Sequence, residues 1–292
     1  GTYEIALVTD IGNIDDKSFN QGSWEGVVEY AEANGKTYNY YRPSEDSDEA
    51  RIESIETAID KGAKVVVMPG YLFGPAVQTV QAEYPDVMFL GIDMGLGDVP
   101  EPTANVSLIT YQEEQAGYLA GYAAVQDGYR KLGFLGGIDV PAVIRYGYGF
   151  LQGANAAAVE LGVVDEVSVK YWYSGSFTPT DEIKTKMSGW YTEGTEVVFS
   201  CGGGIYLSAV GAAQEANAKV IGVDVDQSAE SELIITSAMK GLTEAVNTAL
   251  ADIDAGSWGD IAGSNGNFGL EDGEYVGLPT ADDSWNFKTF TK

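Results

Sequence analysis

The chain of 292 residues contains no histidine, one cysteine and only 16 basic residues against 44 acidic ones. Without histidine, the commonest general base and metal ligand is missing. Cys201 ends an apolar run, so we predict a buried structural thiol and exclude an internal disulfide. The net charge of −28 repels nucleic acid and anionic membrane surfaces, which bind clustered Lys and Arg. No nucleic-acid partner is therefore expected.

Long apolar runs and the common catalytic motifs are absent as well. No window approaches the ~20 apolar residues of a membrane-spanning helix, and Gly1 opens no signal-peptide pattern, so an exported protein would be present here as its mature domain. Neither a G-x-S-x-G elbow nor a G-x-G-x-x-G motif after a strand occurs. We therefore expect no catalytic residue, no metal and no cofactor, and favour a receptor over an enzyme.

Short apolar runs alternate with helical patterns along most of the chain. The runs lack polar alternation, as strands buried on both faces do, and they cover 5–8, 65–68, 87–92, 132–135, 167–172, 197–200 and 220–223. Helical stripes between them include 24–31, 52–59 and 116–123, and Ser18 with Gln21 and Thr110 with Glu113 predict capping boxes. This succession predicts an α/β fold with helices on both faces of parallel sheets.

The length and the repeat of the βα pattern predict two lobes. A Gly/Pro-rich stretch at 95–102 precedes the second series, so we place lobe 1 at 1–108 and lobe 2 at 109–232. Part of 233–262 is expected to return to lobe 1, and 263–292 to lobe 2. Two doubly wound lobes whose strand ends face each other would form a ligand cleft.

The segment from Thr9 to Gln21 follows the first strand and opens a helical pattern. In an open α/β sheet, ligands bind at the carboxyl ends of strands. The segment offers carboxylates, an amide and one aromatic ring but no glycine-rich phosphate cradle. That set suits a hydroxylated, ring-bearing small molecule without an anionic group.

Several segments in order along the chain resemble the basic membrane protein family, the purine-nucleoside-receptor-like substrate-binding lipoproteins of ABC transporters. They are 9–21, Gly91-Ile92-Asp93, Gly136-Gly137, Gly175-Ser176-Phe177, Gly202-Gly203, 222–227 and 236–240. The resemblance implies a type I periplasmic-binding-protein fold, capture of a purine nucleoside and delivery to an ABC permease. It also implies a monomer in an extracytoplasmic location, attached to the membrane only through a lipid on a cysteine outside this sequence.

The resemblance also assigns ligand-binding residues. Phe19 and Phe177 would stack on the base from the two lobes. The polar contacts would come from Asn20 and Asp93 to the base with Asp10 nearby, from Asp224 and Lys240 to the ribose, and from the loop at Gly203. The chemistry agrees, since a purine has two flat faces for aromatic stacking and N–H groups for acceptors. Carboxylates also accept from ribose hydroxyls and repel phosphate.

Each assignment has a structural alternative. Phe19 could pack the start of its helix, and Tyr171, Trp172 or Tyr173 could replace Phe177 as the second stacking wall. The remaining alternatives are loop capping by Asp10, Asp15 or Asp16, turn roles for Asp93 and Asp224, and solvation of Lys240 near a helix start. The loop Gly202–Gly204 also departs from the family, because Ile205 and Tyr206 follow where more glycine and a small polar residue are usual.

Two other functions remain open. A sugar or autoinducer receptor on the same fold would also use aromatic rings and carboxylates. A nucleoside hydrolase could chelate calcium through Asp10, Asp15 and Asp16, although the missing histidine and motifs argue against catalysis.

Overall fold

The computed structural model describes all 292 residues, Gly1–Lys292. Its strands are β1 (Ile5–Val8), β2 (Tyr38–Tyr41), β3 (Val65–Pro69), β4 (Met88–Ile92), β5 (Val106–Tyr111), β6 (Lys131–Gly136), β7 (Ser168–Tyr173), β8 (Val197–Cys201), β9 (Lys219–Asp224), β10 (Ile234–Lys240), β11 (Ser264–Phe268) and β12 (Val276–Gly277). Its α-helices are α1 (Phe19–Asn34), α2 (Asp48–Asp60), α3 (Gly74–Glu83), α4 (Glu113–Gln126), α5 (Pro141–Leu161), α6 (Asp181–Thr192), α7 (Tyr206–Ala216) and α8 (Leu242–Asp254). None of these helices is both long and apolar enough to cross a membrane.

The first compact unit comprises 1–111 and 241–268. Its six strands lie in the order β11-β5-β4-β3-β1-β2, and all its strand pairs are parallel. On one face, α2 and α3 pack with alternate residues of the central strands, and Ile55, Val66 and Phe89 lie in this core. On the other face α1 packs against α8, where the Thr243 hydroxyl donates to the Gly22 carbonyl oxygen at 2.8 Å.

The second unit comprises 112–240 and 269–292. Its six strands lie in the order β12-β10-β9-β8-β6-β7, and only β12 runs antiparallel to its neighbour. One core is built by α6 and α7, with Met187, Val198 and Ile205 among its buried residues. The helices α4 and α5 pack together on the other face, beside Phe134 and Phe199. The predicted α/β class with two doubly wound, parallel sheets is confirmed.

The unit boundaries differ from the predicted ones because strand pairing decides them. The first segment ends at Tyr111, three residues beyond the predicted 108, since β5 runs to that residue. Residues 234–240 belong to the second unit, because β10 pairs with β9. Residues 263–268 belong to the first unit, where β11 pairs with β5.

Some local predictions are wrong. Thr110 lies inside β5 and its hydroxyl donates to the carbonyl oxygen of Gly266, so it does not cap α4. Ser18 makes no side-chain cap hydrogen bond, since the Asp16 carboxylate accepts the N–H groups of the first turn of α1 instead. The patterns also miss the edge strands β2, β11 and β12. These strands are partly exposed, so they lack the apolar runs that mark the central strands.

The helices α4 and α5 approach backbone to backbone, because glycines face each other across the contact. A Cβ atom on Gly121 would lie 2.2 Å from the Phe150 carbonyl oxygen, and one on Gly153 would lie 1.9 Å from the Tyr118 carbonyl oxygen. Gly117 and Gly149 meet the facing helix in the same way, with separations of 2.1 and 2.0 Å. No other residue fits at these four positions without moving one helix.

We predict that Gly121→Ala destabilises the protein by about 1–3 kcal/mol, because the added methyl group forces α4 and α5 apart. The matched control is Gly189→Ala in α6, where a Cβ atom would have no neighbour within 4 Å. That variant should gain about 0.5–1 kcal/mol, since alanine loses less backbone entropy in a helix. Urea denaturation of the two variants measures both effects. Equal stability of the two variants would contradict the close helix contact.

Candidate functional site

The first unit has a topological switch point between β1 and β3, because the chain leaves β1 for β2 on one side and returns to β3 on the other. Ligands bind at such points, beyond the carboxyl ends of the strands. A Cβ atom on Gly70, the residue after β3, would lie 3.5 Å from both Asp10 Oδ2 and Phe19 Cε1. A carboxylate oxygen and the edge of a partly buried ring therefore meet at this position.

Asp10 is held from one side by a hydrogen-bond network. Its Oδ1 accepts from the Gly12 N–H at 2.7 Å and from Asn20 Nδ2 at 2.8 Å. Asn20 Nδ2 also donates to Asp16 Oδ2 at 3.2 Å, and Asn20 Oδ1 accepts from the Asp10 N–H at 3.4 Å. Asn20 is only 1% exposed, so its amide holds the loop together, whereas Asp10 Oδ2 faces Gly70.

Asp16 organises the start of α1. Its carboxylate accepts from the N–H groups of Ser18, Asn20 and Gln21 at 2.9, 2.9 and 3.0 Å. These N–H groups lie at the start of the helix, where they have no acceptor within the helix. The structural roles considered for Asp10 and Asp16 are therefore observed, while Asp15 is exposed.

Burial raises the pKa of Asp10 above its usual value, against the opposing effects of the Asn20 and Gly12 hydrogen bonds and the positive charge of Arg51. The pKa of Asp16 is raised for the same first reason, and the three N–H donors oppose the rise. Removing a carboxylate from water favours its neutral form. Each charge is thus maintained by directed N–H donors inside a poorly solvated loop.

The same edge of the sheet carries Asp93, directly after β4. Its φ of 59° is left-handed, which is uncommon for a residue other than glycine. The Gly70 N–H donates to the Ile92 carbonyl oxygen at 2.8 Å, so Gly70 and Asp93 are neighbours along the edge. Asp10, Gly70 and Asp93 therefore follow three adjacent strands in spatial order.

The second unit repeats this arrangement at the switch point between β6 and β8. The Phe177 ring covers the two glycines that follow these strands, since a Cβ atom would lie 2.4 Å from it on Gly137 and 2.8 Å from it on Gly202. The next strand, β9, ends at Asp224, whose φ is 67°. Asp224 thus matches Asp93 in strand position and in backbone conformation.

The other aromatic candidates lie elsewhere. Tyr171 stacks on Phe134 with ring centroids 4.5 Å apart, and its hydroxyl lies 3.1 Å from that of Tyr173. Trp172 packs against the core of α6 and α7, with the Lys186 ammonium 5.4 Å from its ring. Among the four aromatic residues, Phe177 is the one at the switch point.

Gly203 shapes the loop that carries Phe177. A Cβ atom on Gly203 would lie 2.9 Å from the Phe177 carbonyl oxygen, and the Gly204 N–H donates to the same oxygen at 3.0 Å. Gly203 has a left-handed φ of 49°, and Gly202 a φ of 152°. Glycine is needed here because the two loops touch through their backbones.

Lys240 is the last residue of β10 and lies two residues before α8, but it is buried, so the alternative of a solvated side chain is wrong. It is 4% exposed, and its Nζ lies 3.1 Å from Glu113 Oε1. Arg145 binds the same carboxylate, with Nε 2.6 Å from Oε2. The Tyr146 ring centroid lies 5.4 Å from Lys240 Nζ, and the Tyr146 hydroxyl donates to Asp224 Oδ1 at 3.2 Å.

Sequence reasoning missed three members of this cluster, namely Glu113, Arg145 and Tyr146. Glu113 was assigned to a capping box with Thr110, although it is fully buried and paired with two cations. An acidic residue at the first position of a helix fits the helix dipole wherever the helix lies. Its spatial partners are 32 and 127 positions away, so spacing gives no signal for them.

No group of three or more His, Cys, Asp or Glu side chains is placed to hold a metal ion. Each edge carries carboxylate groups at its strand ends and a partly buried phenyl ring at its switch point. This arrangement is typical of the class of proteins that have two doubly wound units and bind small solutes at strand ends.

The chain belongs to the Bmp family of PnrA-like ABC transporter substrate-binding proteins, which matches residues 4–292. This family consists of binding proteins and not of enzymes. The ABC transporter nucleoside-binding protein BmpA of Lactococcus lactis is 29% identical over 77% of this chain, and the match spans 64% of that protein. Basic membrane protein A1 of Borrelia garinii is 29% identical over 84% of this chain and 70% of that protein.

A solved structure shows the same fold. An ABC transporter solute-binding protein from Aeropyrum pernix superimposes with a TM-score of 0.83 and 24% identity, over 95% of this chain and 76% of that one. The match of the family model over residues 4–292 confirms the family resemblance seen in the sequence.

The raised pKa of Asp10 makes a prediction about pH. When the folded pKa exceeds the unfolded one, the carboxyl group contributes stability at low pH that is lost as pH rises through the folded pKa. The Asp10→Asn variant lacks this loss. The difference in the free energy of unfolding, variant minus wild type, should therefore be larger at pH 7 than at pH 4. Urea denaturation at both pH values measures the difference, and the exposed Asp15→Asn is the control. A difference that does not change with pH would contradict the desolvation of Asp10.

Proposed function

We propose that this protein captures a purine nucleoside and delivers it to an ABC permease. One observation carries the proposal: each unit presents a partly buried phenyl ring, Phe19 or Phe177, at the switch point of its sheet. A purine has two flat faces, and stacking is worth about 1–3 kcal/mol per base. The name of the Lactococcus relative, a nucleoside-binding protein, supports the same ligand class.

The polar groups beside the rings fit the rest of a nucleoside. Asp10 Oδ2 and the edge of the Phe19 ring both lie 3.5 Å from the Cβ position of Gly70, so Oδ2 can accept an N–H group of a base stacked on that ring. We propose Asp93 as a second acceptor, since it follows the next strand but one along the edge. Asn20 is proposed to act mainly through Asp10, because its amide already bonds to Asp10 and Asp16.

The ribose is assigned to the second unit. Asp224 can accept hydrogen bonds from sugar hydroxyl groups, and the ammonium group of Lys240 can donate to them. Both belong to one buried cluster through Tyr146. Gly203 contributes by leaving room for the Phe177 carbonyl oxygen, which accepts from the Gly204 N–H.

The proposal includes an extracytoplasmic location and attachment to the membrane through a lipid outside this sequence. Both are expectations for a binding protein that serves an ABC importer. A monomer is in keeping with the charge of −28, which disfavours self-association. The partner is the permease, and no nucleic acid is involved.

We predict that guanosine, inosine or adenosine binds at least tenfold more tightly than the matching monophosphate. The carboxylates of Asp10, Asp93 and Asp224 would face the added negative charge. Calorimetry on protein freed of carried-over ligand by unfolding and refolding measures the affinities. Ribose, galactose and arabinose serve as the sugar arm. Binding of a sugar in place of nucleosides would establish the alternative receptor, and equal binding of monophosphates would contradict the electrostatic argument.

A second prediction concerns the stacking rings. Phe19→Ala and Phe177→Ala should each weaken nucleoside binding by about 1–3 kcal/mol and leave the fold intact, because each removes one aromatic face. Tyr173→Ala is the matched control, since Tyr173 contacts Gly136 and Phe134 within the second unit. Calorimetry gives the affinities and circular dichroism the fold. Loss of binding in Tyr173→Ala but not in Phe177→Ala would show that the wrong ring has been assigned.

A further inference from the structure

The buried cluster of the second unit contains two acids and two bases at the ends of different elements. Glu113 begins α4, Arg145 lies in the first turns of α5, and Lys240 and Asp224 end neighbouring strands. Glu113 is fully buried and Lys240 is 4% exposed. Buried charges are tolerated only when they are paired and hydrogen-bonded. The pairing therefore decides where each charged group can sit.

Glu113 occupies the centre of this cluster. Its Oε2 lies 2.6 Å from Arg145 Nε, and its Oε1 lies 3.3 Å from an outer nitrogen of Arg145. The same Oε1 lies 3.1 Å from Lys240 Nζ. The planar guanidinium group fixes the carboxylate through two contacts, which is the geometry that arginine favours. One oxygen of an immobilised carboxylate thus contacts the lysine ammonium group.

We propose that Glu113 is a positioning residue for ligand binding, which holds the Lys240 ammonium group so that it donates to the ribose hydroxyls. A lysine side chain has four rotatable bonds, and its ammonium group carries three donors. Glu113 accepts one of them from the side of α4, and the Tyr146 ring flanks the group at 5.4 Å. These contacts restrict the position of the ammonium group. They hold it next to Tyr146, whose hydroxyl donates to Asp224.

The inference rests on the proposed function, since it takes Lys240 to be a ribose contact. It adds that Glu113 does not touch the nucleoside and acts only through Lys240. Loss of the Glu113 charge should therefore reduce affinity for a ligand with ribose hydroxyls and spare a ligand without them. A general loss of structure would reduce both affinities alike.

The test compares inosine with 2′,3′-dideoxyinosine by calorimetry on refolded, ligand-free protein. Wild type should bind inosine at least about tenfold more tightly than it binds the dideoxy compound. Glu113→Gln should weaken inosine binding by about tenfold to a hundredfold and change the dideoxy affinity less than twofold. Glu182→Gln is the control, because Glu182 lies in the first turn of α6 in the same unit and is exposed.

A double-mutant cycle completes the test. Lys240→Met should lose the same preference for inosine, and adding Glu113→Gln to it should cost little more, because the second residue acts through the first. If Glu113→Gln does not fold, Glu113→Asp keeps the charge but withdraws its oxygen from Nζ, and the same result is expected.

The outcomes separate the two claims. If Glu113→Gln keeps the wild-type preference, or loses both affinities equally, the positioning role is wrong and nucleoside binding stands. Wild type that binds inosine and dideoxyinosine equally removes the ribose contact of Lys240 and this role with it. Wild type that binds neither compound overturns the proposed function itself.

Discussion

The contact between α4 and α5 is the constraint on which the second unit depends. Gly117 and Gly149 allow the first turns of the two helices to touch through their backbones. Those same turns carry Glu113 on α4 and Arg145 with Tyr146 on α5. The distance of 2.6 Å between Arg145 Nε and Glu113 Oε2 requires this close approach of the helices. A helix separation larger by one methyl group would move the carboxylate away from the guanidinium group. Packing of small residues thus sets the geometry of a charged cluster.

The two sheets apply one topology to different side chains. Both place a glycine, Gly70 or Gly202, directly after the strand beyond the switch point. Both also place a left-handed Asp, Asp93 or Asp224, at the end of the next strand. Such backbone strain persists only when the surroundings hold it, and it concentrates at binding sites. The difference lies at the first strand, where Asp10 follows β1 and Gly137 follows β6. One unit presents a carboxylate at that point, and the other leaves room for a phenyl ring.

Much of this could be predicted from the sequence, for identifiable reasons. Central strands such as β3 and β8 are buried on both faces, so their apolar runs mark them, and the family resemblance supplies their order. The edge strands β2 and β11 are not predicted, because they are partly exposed and lack such apolar runs. The partners of Glu113 are not predicted either, because tertiary packing determines them. Asn20 shows a subtler limit, since its residue type suits a base contact but its two neighbouring carboxylates already bind its amide.

The charges of the two sites differ in how they are balanced, and this difference bears on the ligand. In the second unit Glu113 and Asp224 are matched by Arg145 and Lys240, so the buried cluster carries no net charge. In the first unit Asp10 and Asp16 are stabilised mainly by N–H donors, and the positive charge of Arg51 acts on Asp10. A ligand that brings N–H groups to Asp10 adds donors to an under-compensated carboxylate, which favours the proposed contact between Asp10 and a base. The proposed roles of Asp10 as an acceptor for N–H groups and of Asp224 with Lys240 as partners for hydroxyl groups follow this difference in balance.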